Sequence, residues 1–451
     1  MPVPSRDELR TWSRALTLDA IDPASPDETR YVPLSEAGRG AVDELQATIE
    51  LAFDTTTQLL SGPNGSGKTT ELYRLRGDLS KRGYLVTIVN IKDYVNESSP
   101  IDITEFLIAL ALGASEAYAL PEAMEKPGFG ARLNDLLRRL HVNVEVAGAK
   151  VEASAEGFAV GIPGALAEVN LKSELKSSQP FVSQLRAKLA YHVGELYDDV
   201  AGFLADLLNA ALGVEQSIEG AVLIVDGLEK LQGTSTNDRE VQESIERLFV
   251  AHAGKLKFSS HHLVYTAPTY LMFTNPGALP YSSRVLPVPV PYVRRPRSLA
   301  LADEGVDERV AQTRVQMREV AARRVPIDRM FGGDGDLLET VISASGGHLR
   351  DYFTIFNQLL NLILRQSLSL PVDRSAVDEA IRNVEHDFGS VTREQADFLI
   401  KVHEADGQIV PSVNEVGLMA RLLQQHMLLS HLNGTDWYEV HPLAMKALGM
   451  T

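Results

Sequence analysis

The sequence of 451 residues contains no cysteine. A disulfide scaffold, a cysteine-ligated zinc site and thiol chemistry are therefore excluded, and the absence fits a reducing compartment. Long apolar runs are also missing. The most apolar windows, Phe106–Leu112 and Phe203–Leu212, are short and flanked by acidic residues, so no transmembrane helix is expected. The first residues lack the apolar core of a signal peptide, and we expect a cytoplasmic protein with no membrane partner.

Positive charge is scarce as well. Lysine and arginine together number 43 against 60 aspartate and glutamate residues, which gives a formal net charge of −17. An acidic surface repels the phosphate backbone of nucleic acids unless a local patch reverses the sign. The composition therefore argues against DNA as a partner. With 44% hydrophobic residues, the chain is long enough to bury the cores of two or three domains.

A glycine-rich loop is the most specific feature that is present. The segment Gly62-Pro-Asn-Gly-Ser-Gly-Lys-Thr69 matches G-x-x-x-x-G-K-[ST] at every fixed position. The stretch Thr57–Ser61 before it is typical of a short buried strand. Leu72, Leu75 and Leu79 after it fall on one face of a helix. Strand, glycine loop and helix follow one another in the order that a phosphate-binding loop requires.

This motif predicts a nucleotide site with Mg²⁺. Glycines allow backbone N–H groups to turn toward the phosphates, and the N-terminus of the following helix adds partial positive charge. We expect Lys68 to reach the β- and γ-phosphates and the Thr69 hydroxyl to bind Mg²⁺, with Thr70 assisting. The predicted phosphate-binding set is Gly62, Pro63, Asn64, Gly65, Ser66, Gly67, Lys68, Thr69 and Thr70.

A second motif lies at Ala221–Asp226, where a continuous apolar run ends in an acid. Such a run is typical of a central parallel strand, and Leu85–Ile91 predicts another. Asp226 would then lie at the carboxyl end of the sheet and hold the water shell of Mg²⁺ beside Thr69. A solvated strand-end aspartate is the alternative. Glu229 is either the base that orients the attacking water or a structural, salt-bridging residue.

With both motifs placed, the chain resembles the AAA+/STAND branch of P-loop ATPases. The pattern Val225-Asp-Gly-Leu-Glu229 is similar to the acidic strand end of STAND signalling ATPases. The resemblance implies a molecular switch that binds and hydrolyses ATP with Mg²⁺ and acts through a protein partner. It also implies that a nucleotide-dependent homo-oligomer can form. A bacterial signalling or phage-defence setting would suit it.

The resemblance assigns two further residues to the nucleotide. The strand His262–Pro268 resembles the sensor-1 strand, with Thr266 at its polar end, although Thr266 is alternatively a plain strand-end hydroxyl. The segment Ser345–Asp351 is similar to the GG-x-x-R opening of the helical lid, in which the arginine reaches the γ-phosphate. That arginine is Arg350 here, and the alternative is an arginine paired to an acid such as Asp351.

Two stretches lie outside these motifs. Alternating prolines in Leu286–Arg297 favour an extended edge segment, and its arginines are candidates for the arginine finger of AAA+ rings or form an exposed basic turn. These candidates are Arg284, Arg294, Arg295 and Arg297. The excess length over 121–178 predicts an insertion, and the alternation in 142–147 and 167–174 makes it β-rich. It is a partner-binding surface or a flap of the core.

The last 80 residues resemble a winged helix. Arg393–Glu404 and Val413–Gln425 are helix-like, and 427–432 and 437–440 are typical of strands around an Asn-Gly turn. The excess of acids over bases in 371–451 predicts that this domain contacts protein and not DNA. His441 is a capped surface histidine or a ligand of the β-phosphate, as the resemblance implies.

The sequence therefore predicts an α/β fold: a P-loop NTPase core with a parallel sheet, a β-rich insertion, a helical lid and a C-terminal winged-helix domain. The predicted domains are a lead-in (1–55), the core (56–300), the lid (301–370) and the winged helix (371–451). Two other functions stay open. One is a DNA-remodelling ATPase like the origin-recognition or transposition regulators. The other is a nucleotide-stabilised scaffold without turnover, because Gly227 stands where many AAA+ proteins place a catalytic glutamate.

Overall fold

The chain forms two compact units. They are seen in a computed structural model that describes residues 3–34, 37–118, 128–140, 144–146, 149–151, 164–212, 218–234, 236–273, 279–298, 305–388, 391–432 and 436–450. The first unit comprises Met1–Glu44, Ser61–Gly77 and Pro287–Thr451, and the second comprises Leu45–Leu60 and Asp78–Leu286.

The strands and helices of the described residues are as follows. The strands are β1 (Thr57–Ser61), β2 (Tyr84–Asn90), β3 (Val144–Val146), β4 (Ala149–Val151), β5 (Gly220–Asp226), β6 (His262–Ala267), β7 (Leu286–Pro287), β8 (Leu428–Leu432) and β9 (Asp436–Val440). The α-helices are α1 (Arg6–Ala15), α2 (Ala37–Glu50), α3 (Lys68–Lys81), α4 (Ile103–Ala117), α5 (Phe129–Arg139), α6 (Gly164–Ser177), α7 (Gln179–Leu189), α8 (Val193–Leu212), α9 (Asp238–Val250), α10 (Val306–Ala322), α11 (Ile327–Phe331), α12 (Gly335–Ser345), α13 (Leu349–Gln366), α14 (Arg374–Asp387), α15 (Arg393–Glu404), α16 (Val416–Gln424) and α17 (Pro442–Ala447).

The second unit is built on a five-stranded sheet with the order β2-β5-β6-β1-β7. β5 lies parallel to both β2 and β6, with Asn90 opposite Asp226 and Tyr265 opposite Val225. Every residue of β6, and all of β5 after Gly220, is buried. Parallel strands that are covered on both faces have continuous apolar sequences, and β5 has such a sequence.

The first unit has an apolar core around α13. Tyr352, Phe356, Leu359 and Ile363 recur at helical spacing on this helix and are fully buried. Its C-terminal part contains α15 and α16, then the antiparallel hairpin of β8 and β9, and finally α17. α17 begins at Pro442, where a proline costs no helical hydrogen bond.

The predicted α/β fold with a parallel-sheet core and a separate C-terminal region is confirmed. The proline-rich segment begins at β7, which is an edge strand as expected. The domain boundaries given above stay predictions. Among the described residues, no helix is long and apolar enough to cross a membrane.

The insertion is less β-rich than predicted. β3 and β4 form a short antiparallel hairpin within the predicted strand region, but 167–174 is helical and belongs to α6. The prediction was wrong there because its apolar residues also fit a helix. Leu171 and Leu175 are both buried at i, i+4 spacing, and alanine, glutamate, leucine and lysine favour helix. Residues 119–127, 141–143, 147–148 and 152–163 of this region lie outside the described residues.

Candidate functional site

The glycine loop of the first unit starts where β1 ends and runs into α3, as predicted. Three of its glycines, Gly62, Gly65 and Gly67, have φ angles of 148°, 86° and 93°. Side chains disfavour this region of backbone space. The loop therefore takes a conformation that the glycines permit, and it precedes a helix N-terminus, where backbone N–H groups are available to an anion.

Lys68 and Ser66 give this loop its polar side chains. Lys68 is only 4% exposed, and its Nζ donates to the carbonyl oxygens of Gly62 and Pro63, each at 2.9 Å. The Ser66 hydroxyl is buried and has no hydrogen-bond partner within the part of the chain that is described. A buried hydroxyl of this kind, beside a buried ammonium, fits a site that receives phosphate oxygens.

The two threonines after the lysine differ in their surroundings. Thr69 is half-buried at the start of α3. The Thr70 hydroxyl accepts a hydrogen bond of 3.4 Å from the backbone N–H of Ile21. Thr70 therefore contacts the N-terminal segment, while the assignment of Thr69 as a Mg²⁺ ligand stays a prediction.

The second unit carries the acidic group. Asp226, the last residue of β5, and Glu229, three residues later, are each 2% exposed. The Lys230 ammonium lies 3.5 Å from Asp226 Oδ2 and 3.9 Å from Glu229 Oε1. Gly227 has φ of 100°, which makes the turn that places these carboxylates near each other. The two carboxylates offer oxygen ligands of the kind that Mg²⁺ prefers, and the Lys230 ammonium balances part of their charge in this structure.

Thr266 holds this turn in place, and the side chain of Asn90 packs against it. The buried Thr266 hydroxyl, at the end of β6, accepts a hydrogen bond of 2.8 Å from the Gly227 N–H. It is thus fixed next to Asp226, which is consistent with a strand-end hydroxyl and leaves its sensor role a prediction. Asn90 was not predicted, although a polar residue at the end of β2 was a visible signal. A Cβ on Gly227 would lie 2.7 Å from its Oδ1.

Arg350 lies on the first turn of α13, beside the glycine loop of the same unit. A Cβ added to Gly65 would lie 2.9 Å from the Arg350 Cβ and 2.8 Å from ring atoms of His348. The alternative in which Arg350 pairs with Asp351 does not hold among the described residues, because Asp351 contacts histidines instead. The γ-phosphate role of Arg350 stays a prediction.

Three histidines surround Asp351, and no pattern in the residue order predicted that they would meet. Asp351 Oδ2 lies 2.6 Å from His348 Nδ1, 3.1 Å from His426 Nδ1 and 3.2 Å from His441 Nε2. Burial opposes the ionised carboxyl, but the charge of His348 and the hydrogen bonds of the three rings hold the pKa of Asp351 well below its usual range. Burial in turn lowers the pKa of His441.

His441 itself is placed differently from the prediction. It caps α17 by accepting the Leu443 N–H at 3.1 Å, so the capping role is correct. It is completely buried, however, and not a surface residue. The packing of Phe388 over its ring, with centroids 4.7 Å apart, contributes to that burial.

The candidate finger arginines of the first unit have acidic neighbours within the chain. Arg294 lies 2.9 Å from Glu439, Arg295 lies 3.7 Å from Asp307, and Arg297 lies 3.5 Å from Asp406. Two of these ion pairs attach the proline-rich segment to the C-terminal part of the unit. A role for these arginines, or for Arg284, in a neighbouring subunit stays a prediction.

No protein-family model and no curated protein matches the chain. Several solved structures are similar to it. The Aeropyrum pernix ORC1 protein in complex with DNA is 15% identical over 94% of this chain and 95% of that chain, with a TM-score of 0.38. The ADP form of the Aeropyrum pernix ORC2 protein is 12% identical over 97% and 95%, with a TM-score of 0.41. Drosophila ORC bound to DNA is 12% identical over 100% and 95%, with a TM-score of 0.36.

At these identities the similarity concerns the fold alone. The parallel-sheet α/β core stands on the chain's own strands, and both the AAA+ and the STAND assignments stay predictions. The prediction that DNA is an unlikely partner is contradicted, since two of these similar structures are of proteins bound to DNA. The error lay in reasoning from the summed charge, since nucleic acids respond to local patches.

A local basic patch is present in the first unit. Arg6, Arg10 and Arg14 are exposed along one face of α1 at i, i+4 and i+8. They line a groove of about 820 Å³ together with Asn357 and Asn361 of α13. We call these three arginines and two asparagines the α1 groove. The same helix also carries Asp7, which pairs with Arg10, and Glu8, which pairs with Arg329, so the excess of positive charge is confined to the groove.

Proposed function

We propose that the chain binds ATP with Mg²⁺ and hydrolyses it. The geometry of the glycine loop carries this proposal: three glycines with positive φ, a buried Lys68 and the unpartnered Ser66 hydroxyl precede a helix N-terminus. Each of these groups is suited to binding phosphate oxygens. Adenine as the base follows from the AAA+ resemblance.

The chemistry divides among the chain's own residues. Lys68 would exchange its bonds to the Gly62 and Pro63 carbonyls for phosphate oxygens, and Thr69 and Asp226 would hold the metal. Bound Mg²⁺ would neutralise the charge that develops on the phosphates. Glu229 would orient the attacking water, and Thr266 would keep the turn after Asp226 rigid through its bond to the Gly227 N–H.

Replacing the lysine tests the binding step. Lys68→Ala should weaken the affinity for a fluorescent ATP analogue by at least about a hundredfold, because an ammonium contributes two or more charge-assisted hydrogen bonds. Lys81→Ala is the matched control, since that lysine ends the same helix with its side chain 75% exposed. Equal affinities in the wild type, Lys68→Ala and Lys81→Ala would disprove the phosphate-loop assignment.

We also propose that the chain binds DNA as its partner. The α1 groove supports this, because its three exposed arginines could contact successive phosphates while Asn357 and Asn361 offer neutral donors. The chain would then be an ATPase that acts on DNA, and its C-terminal region would be a winged helix. A signalling switch that acts through a protein partner is the competing function, and it requires no duplex.

Salt dependence distinguishes the two functions. Removing three phosphate contacts should reduce the slope of log affinity against log salt by about 2.7, at about 0.9 per contact. The measurement is fluorescence anisotropy of a random duplex with the wild type and with the Arg6, Arg10, Arg14→Ala triple variant. A charge-matched control replaces the exposed Arg239, Arg247 and Arg393. If both triple variants keep the wild-type slope, or if the wild type does not bind the duplex, the DNA proposal fails.

A further inference from the structure

The contacts of His348 determine how many protons its ring carries. Its Nε2 lies 2.6 Å from the carbonyl oxygen of Asn64 in the glycine loop, and a carbonyl only accepts. Its Nδ1 lies 2.6 Å from the Asp351 carboxylate, which also only accepts while it is ionised. Both ring nitrogens therefore donate, and His348 is an imidazolium. Its charge is buried and is balanced by Asp351.

The other two histidines, His426 and His441, contact the Asp351 carboxylate. His441 Nδ1 accepts from the Leu443 N–H, so Nε2 carries the single proton of that ring and faces Asp351 at 3.2 Å. His426 Nδ1 approaches the same oxygen at 3.1 Å, and its ring stacks on His348 with centroids 4.7 Å apart. His426 does so from a left-handed backbone conformation with φ of 48°, which residues with side chains rarely adopt.

The distances in this cluster fit a hydrogen-bonded ion pair better than they fit a metal site. Zinc bonds of about 2.0–2.1 Å in a tetrahedral site place ligand atoms roughly 3.3 Å from one another. The separation of 2.6 Å between His348 Nδ1 and Asp351 Oδ2 is that of a direct hydrogen bond. His441 is also unsuited as a ligand, because a ring that accepts at Nδ1 would have to lose its last proton to bind a metal through Nε2.

The glycine loop packs directly against the His348 ring. A Cβ on Gly65 would lie 2.8 Å from both Cε1 and Nε2 of the imidazole. The Asn64 carbonyl and the Gly65 N–H belong to one planar trans peptide and point in opposite directions. Holding the carbonyl toward His348 therefore turns the Gly65 N–H away from that ring.

We propose that His348 is a positioning residue of the phosphate loop, which orients the Asn64–Gly65 peptide so that the Gly65 N–H faces the phosphates of bound ATP. Asp351 keeps the ring charged, and His426 and His441 hold Asp351. Nucleotide affinity thereby depends on the C-terminal part of the same unit, from which both of those histidines come. The inference rests on the proposed binding of ATP.

The test measures the dissociation constant of a fluorescent ATP analogue. His348→Ala removes the donor to Asn64 and should weaken binding about tenfold, as expected for one charge-assisted hydrogen bond. His348→Gln should restore part of the loss, because an amide N–H can donate to the same carbonyl. Asp351→Asn should fall between the wild type and His348→Ala. His431→Gln is the matched control, because His431 is equally buried and bonded to a backbone carbonyl, that of Val290.

Rescue by the conservative variant separates positioning from a merely structural role. His348→Gln keeps a donor for the Asn64 carbonyl, so it should bind the ATP analogue more tightly than His348→Ala does. An equal loss of affinity in both variants would contradict the positioning role. The fluorescence of Trp12 and Trp437 shows whether each variant folds. If His348→Ala does not fold, His348→Gln and Asp351→Asn carry the test.

The possible failures are distinguishable. If the wild type binds ATP and Lys68→Ala does not, but the His348 and Asp351 variants bind like the wild type, the positioning role is wrong and the proposed function stands. If the wild type does not bind ATP, both fail. One equivalent of zinc in the purified protein that is lost in His426→Ala would overturn the ion-pair interpretation in favour of a metal site.

Discussion

Replacing Gly65 with alanine should disrupt the glycine loop more than the same change elsewhere in the first unit. Two effects add at this position. Gly65 has φ of 86°, a conformation that costs an L-residue about 1–2 kcal/mol. The new Cβ would also lie 2.8 Å from the His348 ring and 2.9 Å from the Arg350 Cβ, and overpacking of this kind costs about 1–3 kcal/mol.

Two control glycines of the same unit separate the cost of the backbone conformation from the cost of overpacking. Gly333 has φ of 78° with nothing within 4 Å of an added Cβ, so Gly333→Ala carries only the backbone cost. After the lower entropy of the unfolded alanine chain is subtracted, about 0.4–1 kcal/mol, we expect a net loss of about 1 kcal/mol. Gly40 lies in α2 with open space around it, and Gly40→Ala should stabilise by up to about 1 kcal/mol. For Gly65→Ala we expect a loss of about 2–4 kcal/mol.

Equilibrium denaturation followed by tryptophan fluorescence is the assay. Both tryptophans of the chain, Trp12 and Trp437, are buried in the first unit, and all three glycines belong to that unit, so the signal reports its unfolding. The affinity for an ATP analogue is measured beside it and should fall in Gly65→Ala alone. If Gly65→Ala costs no more free energy than Gly333→Ala, the close packing of His348 against the loop is refuted.

Three further predictions follow from the site. Glu229→Gln should slow ATP hydrolysis by about 10²–10⁴-fold at nearly unchanged affinity, whereas the exposed Glu243→Gln should not; a wild type without turnover would favour the scaffold function instead. Arg350→Ala should weaken ATP more than ADP if the guanidinium reaches the γ-phosphate, and equal losses would refute that role. The pKa of Asp351 is depressed, so its stabilising effect is present above its unfolded value near 3.8 and is lost as pH falls below it. Below that pH, Asp351→Asn should reduce the slope of the free energy of unfolding against pH by up to about 1.4 kcal/mol per pH unit, which corresponds to one proton bound on unfolding. An unchanged slope would contradict the ion pair.

The contiguous features of the site could be predicted from the sequence. The glycine loop, its preceding strand and its following helix occupy one uninterrupted segment, so residue order alone indicated their geometry. The same holds for Asp226, because the apolar run before it is short and rich in β-branched residues, which favours a covered parallel strand over a helix. The strand alternation of 167–174 misled us, because short apolar patterns fit helix and strand equally well.

The remaining features depend on contacts between distant segments. His348, His426 and His441 look like unrelated residues in the sequence, and only the packing of α13 against the C-terminal elements brings their nitrogens to one oxygen of Asp351. The α1 groove is likewise invisible in a net charge, because summing charges discards their positions. The sequence by itself determined the phosphate loop and the type of core around it, since local order and hydrophobic period suffice for these. The tertiary structure decided which buried charges surround that loop and where the basic surface lies, since both depend on which segments pack together.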